Sequence, residues 1–179
     1  MALYVTQPYG AIQQISLIVL RTLIGWHFLY EGYFKLALPA WTTAGAPMAK
    51  FKAAGYLANA YGPLGGTFRW LAASPAAPWI DVIVVASLIL VGLSLLLGLF
   101  TQLGCVGAAG LLAMFYVSMP PLSGIPMPMN EGTYLIVNKN LIELAAVLVV
   151  FVFRTGRIAG LDTLRGRWRT TARQQELVA

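Results

Sequence analysis

Charge is what this sequence has least of. Asp, Glu, Lys and Arg make up 10% of its 179 residues, where a soluble domain carries about a quarter. Together with 59% hydrophobic residues and a mean hydropathy of +0.74, that scarcity excludes an ordinary soluble domain and indicates an integral membrane protein. Cysteine is almost missing too. Cys105 stands alone in an apolar segment, so the chain can build no internal disulfide, no CxxC redox pair and no thiolate metal site. Histidine occurs once, as His27, and one histidine cannot supply two axial haem ligands, so neither metal nor haem is expected. There is no glycine-rich phosphate loop, no nucleophile elbow, no zinc spacing and no internal repeat. No basic stretch precedes the first apolar run and no cleavage site follows it, so that run reads as a retained membrane helix.

What remains is hydrophobic runs. Segments at about 12–36, 81–100, 103–119 and 134–153 are each read as a span, the first comfortably exceeding the ~20 residues a bilayer requires. The break at Thr101–Gln102 is so short that the second and third spans must be antiparallel neighbours. Small residues recur on both, Ser94 and Gly98 facing Gly104, Gly107, Ala108 and Gly110, which lets helices approach closely in lipid. Pro120, Pro121, Pro126 and Pro128 interrupt the chain before the last span. The long first connection holds PMAKFKAAGYLANAY and LGGTFRWLAAS, too short to span but suited to lie at the interface with their Trp and Tyr. The expected fold is all-α: a four-helix transmembrane bundle with interfacial helices in its first loop.

The net charge of +6 is concentrated at the end, in Arg154, Arg157, Arg165, Arg167, Arg169 and Arg173. Beside a hydrophobic segment this tail, 154–179, reads as a cytoplasmic flank, not a nucleic-acid arm, and it puts both termini inside. Met119, Met127 and Met129 are read as packing, since copper sites recruit more thioethers than this loop offers.

The first span carries an unusual polar stripe. His27, Glu31 and Lys35 recur at i, i+4 and i+8, one face of a helix, with Arg21 further down. An isolated charge at mid-bilayer costs roughly 2.5–3.5 kcal/mol, so the stripe must face protein, water or a ligand. Lys139 and Glu143 form a matching stripe on the last span. With those two helices antiparallel, His27 falls level with Glu143, Glu31 with Lys139, and Lys35 with the start of the last helix. Arg21 falls within reach of Glu143. A buried polar seam is expected, serving either proton chemistry or only helix register.

The pattern R-x3-G-x2-F-x2-E-G-x2-K, from Arg21 through Gly25, Phe28 and Gly32 to Lys35, resembles the DoxX/DoxD membrane family. So do VGLSLLLGLFTQLG and the GRIAGLD motif ending at Asp162, while AAGYLANAYGPLG and NEGTYLIVNKNLIEL are similar to its DoxD-like branch. The resemblance extends over one domain, 1–179, and implies four helices in a bacterial or archaeal plasma membrane. It further implies a place beside thiosulfate:quinone oxidoreductase subunits.

On this reading the chain is a membrane subunit of a quinone-linked oxidoreductase. His27, Glu31 and Glu143 are the catalytic candidates, with His27 and Glu143 carrying protons. Arg21, Lys35, Lys139, Asn138 and Glu131 bind or steer a small anionic substrate. Lipid, quinone and further membrane subunits are the expected partners, and nucleic acid is not. The alternative is a non-catalytic subunit that stabilises a larger membrane redox or photosynthetic complex. A transporter is a third reading, disfavoured by the missing repeats.

Overall fold

A computed structural model describes residues 9–37, 51–121 and 135–163. Glu131, Met127, Met129 and the tail from residue 164 onward lie outside the described residues. The described chain is helical: α1 (Ala11–Ala37), α2 (Ala53–Ala58), α3 (Gly65–Ala73), α4 (Ala77–Leu97), α5 (Thr101–Ser118) and α6 (Lys139–Val152), then a 3-10 turn over Thr155–Arg157. Three of these, α1, α4 and α5, are long and apolar enough to cross a membrane. Helix α6 has 14 residues, about 21 Å at ~1.5 Å per residue, and begins at Lys139 with residues 135–138 outside it, shorter than the span expected from 134.

Helix α1 is two-faced. Arg21, Ile24, Gly25, Phe28 and Gly32 are buried, while Ile12, Ile15, Val19, Leu23, Trp26, Tyr30 and Tyr33 project outward at three- and four-residue spacing. Such an outward stripe of large apolar side chains suits lipid, where the inward face needs small residues to let backbones meet. That face lies antiparallel on α4, the most extensive helix contact of the fold. A β-carbon on Gly25 would fall 2.7 Å from the Leu96 nitrogen, and one on Gly32 would fall 2.7 Å from Cγ1 of Ile89. Helix α5 continues from α4 and packs on α6, which returns to touch α1. Leu88, Leu95, Ala108, Leu112, Val147 and Val150 fill the space between them.

The turn between α4 and α5 sits three residues earlier than the sequence indicates. Pro78 lies in the first turn of α4 and Gly98 ends the helix with φ 63°, where the Leu99 and Gly98 amides bond back to Ser94 and Leu95. Thr101 and Gln102 belong to α5. The reason is long-range: the Asp162 carboxylate accepts from the Phe100 and Thr101 amides at 2.8 and 2.9 Å and so starts the helix there. Of the small residues expected between these helices, Gly104 meets Ser94 and Gly107 meets Val91, Gly110 meets nothing, and Gly98 packs on Gly160 instead.

Candidate functional site

Helices α1, α4, α5 and α6 enclose, with α2 and α3 above them, a cavity of about 400 Å³. That volume lies within the usual range of ligand sites, ~300–1,000 Å³. Its apolar side is built by Phe28, Phe51, Leu57, Phe68, Ile80, Leu88, Leu112 and Phe115 among others. Its polar side is the stripe: His27, Glu31 and Lys35 from α1, with Lys139 and Asn140 from the first turn of α6. One wall is polar and the other apolar.

His27 is the hub of that polar wall. Its Nδ1 lies 2.6 Å from Oε1 of Glu143, and its Nε2 lies 3.0 Å from the Lys139 ammonium. An ammonium has only donors, so Nε2 must be the acceptor. The ring proton therefore sits on Nδ1 and is donated to Glu143. This is the carboxylate-behind-imidazole arrangement that fixes a ring's tautomer and supports the positive charge when it gains a proton. Glu143 does not line the cavity: its side chain is 11% exposed, against 31% for His27, and its Oε2 is buried with no hydrogen bond. Glu143 thus stands behind His27, outside the cavity.

Glu31 pairs with Lys35 one turn along α1, and Lys35 also stands 5.4 Å over the Phe51 ring. Lys139 and His27 are near enough to act on Glu31 electrostatically, so the five members of the expected seam form one connected series where α1 meets α6. The seam closes through His27, not through the expected Glu31–Lys139 pair.

Arg21 is elsewhere. It is 3% exposed, and its guanidinium donates to the carbonyls of Thr155 and Ala159 at 3.0 and 2.5 Å, not to Glu143. The segment after α6 folds back under the bundle, placing those carbonyls nearer to Arg21 than Glu143 is. Asn138 does not line the cavity either: it is 6% exposed, and its side chain caps α6 by accepting from the Leu141 amide at 3.0 Å. Glu131 lies outside the described residues.

The roof was missed by sequence reasoning as a part of the site. Tyr56 on α2 lines the cavity and shares a 2.8 Å hydrogen bond with the Ser118 hydroxyl, and burial pushes its phenol above the usual tyrosine range, the Ser118 bond acting against that. The Tyr61 and Gly62 amides both bond to the Ser118 carbonyl, and the Asp81 carboxylate accepts from the Ala53 amide at 2.6 Å. The roof is therefore pinned to the ends of α4 and α5. A single acid heading a long apolar run was the one available signal for Asp81. Asp81→Ala should free the start of α2, at a loss of about 0.5–2 kcal/mol, and speed limited proteolysis between α1 and α4 in detergent.

A scan against protein-family models, a search of curated proteins and a search of solved structures each return no match for this chain. Among the described residues no group of three His, Cys, Asp or Glu is placed to hold a metal ion.

Proposed function

We propose that the chain is a membrane subunit of a quinone-linked oxidoreductase, DoxD-like in kind, with a lipophilic quinone as the occupant of the cavity. The observation that carries this reading is an apolar cavity of about 400 Å³ with a Glu143-backed imidazole on its single polar wall. The donor set suits such a molecule: Lys139 and Lys35 offer N–H groups to ring oxygens, and His27 exchanges a proton. The rings of Phe28, Phe51, Phe68 and Phe115 suit a flat ring and an apolar tail. When bound, quinone supplies the electron-accepting chemistry, and the electrons come from a partner subunit, of the thiosulfate-oxidising type if the family resemblance extends that far. In this reading the shorter helix α6 is a fourth crossing, and both termini face the cytoplasm of a bacterial or archaeal cell.

The test is binding of a short-chain quinone to the purified chain in lipid nanodiscs. Met114→Trp, which fills the cavity, should abolish binding. His27→Ala should lower quinone reduction by the assembled complex by about 10²-fold or more. Retained binding in Met114→Trp would place the ligand elsewhere. The second reading is a non-catalytic subunit of a larger membrane complex, in which the polar wall only holds α1 and α6 in register. Activity of the assembled complex that survives both His27→Ala and Glu31→Ala would decide for it.

A further inference from the structure

We infer that the cavity recognises the hydroxylated, reduced form of its ring ligand, with His27 as the acceptor of that hydroxyl's proton and Lys139 as the counter-ion to the oxygen left behind. This rests on the cavity being the ligand site proposed above, and adds to it the protonation state of the bound product; during quinone reduction the same proton runs the other way, from the His27 imidazolium to the oxygen beside Lys139.

Hydrogen-bond roles around His27 set this preference. Glu143 takes the Nδ1 proton at 2.6 Å, so the nitrogen that His27 has left for the cavity is Nε2, an acceptor. An oxidised quinone offers only carbonyl acceptors, which give Nε2 nothing to accept. A phenolic hydroxyl offers the donor that Nε2 requires. The group now on Nε2 is the Lys139 ammonium at 3.0 Å, on an exposed and flexible side chain that can yield its place. Lys139 then turns a proton toward the same oxygen, which has lone pairs for it.

The charge balance follows from the neighbours. When the ligand O–H bond breaks and an Nε2–H bond forms, the imidazolium lies between Glu143 behind it and Glu31 one turn away. The oxygen's negative charge lies against Lys139. Lys35 is held by Glu31 and adds its charge at a greater distance. Among the described residues of the other elements around the cavity, only Tyr56 of α2 is titratable; α4 and α5 present apolar side chains. Two positive and two negative side chains therefore become a set in which each new charge has an opposite one beside it. In a low-dielectric wall this arrangement lets the proton pass between the ring oxygen and Nε2 in either direction without leaving a charge unpaired.

The experiment uses the full chain in nanodiscs, three ring probes (a short-chain quinol, its oxidised quinone and the dimethyl ether of the quinol) and a phenol that reports its own ionisation. The quinol should bind at least about tenfold more tightly than either other probe, the ratio a hydrogen bond to a charged group supports. A hydrophobic nitrophenol should bind and show the colour of its ionised form at a lower pH than it does in protein-free nanodiscs. Lys139→Met, at an exposed position, should return that transition to its protein-free pH, and His27→Gln should remove the quinol preference. Equal binding of quinol and quinone, or an ionisation that ignores Lys139, overturns the inference while leaving the quinone-linked reading in place. Absence of binding by all three ring probes overturns both.

Discussion

Arg21→Leu should destabilise the protein by about 2–4 kcal/mol in a denaturant titration of the detergent-solubilised chain, the loss of two charge-assisted hydrogen bonds from a buried group. The guanidinium ties three parts of the chain together. Its carbonyl partners, Thr155 and Ala159, belong to the segment after α6, and Gly98 of the α4–α5 turn lies directly beneath it. The same segment returns to that turn twice more, through the Asp162 carboxylate on the Phe100 and Thr101 amides and the Asp162 amide on the Gly98 carbonyl. Without Arg21 the Ala159 carbonyl loses its short bond, and a buried space opens beside Gly98. Arg21→Lys keeps the charge but offers a point donor in place of a planar fork, so it should lose less than the leucine variant. Hydrogen exchange of amides 155–163 should rise in Arg21→Leu and change little in Arg21→Lys. An unaltered denaturation midpoint in Arg21→Leu would show that the segment is held by Asp162 alone.

That prediction also marks what the chain's own pattern makes legible. The spans α1, α4 and α5 follow from apolar runs that lipid permits only as helices, and their existence needs nothing beyond counting. The His27–Glu143 contact is legible for a related reason. Two short polar stripes in a medium that penalises unpaired charge must find each other, and depth along antiparallel helices sets which members meet. Arg21 breaks the rule because its partners are backbone carbonyls in an irregular segment, and no side-chain type in GRIAGLD announces a free carbonyl. The α4–α5 boundary is misplaced for the same reason: the group that starts α5 is Asp162, some 60 residues on. Asn138 looks like a polar lining residue until the direction of α6 is known, and only then is it a cap. The apolar half of the cavity is the least legible part. Phe51, Leu57, Phe68 and Ile80 read individually as interfacial or spanning residues, and only the fold of α2 and α3 over the end of the bundle turns them into a wall.

Gly92→Val should have the largest effect of all, a loss of about 3 kcal/mol or more and with it the capacity of the cavity to bind a ring. A β-carbon at Gly92 would lie 2.6 Å from Cα of Leu29 and nearer still to its nitrogen, so the obstacle is backbone and cannot rotate away. Overpacking a well-filled core already costs roughly 1–3 kcal/mol when side chains can shift, and here helix α1 itself must move. Gly25 makes the reciprocal approach to α4, so the crossing cannot slide along the helix to find relief. Leu29 lies between His27 and Glu31 in sequence, and displacing it drags both from Lys139 and Glu143. Gly110 supplies the control, since nothing lies within 4 Å of a β-carbon there. Gly110→Ala should therefore stabilise α5 slightly, by up to about 1 kcal/mol, through helix propensity alone. Gly92→Ala should destabilise although the same propensity favours it. Opposite signs for one chemical change at two helical glycines would assign the loss to the crossing of α1 and α4; equal signs would assign it to glycine itself.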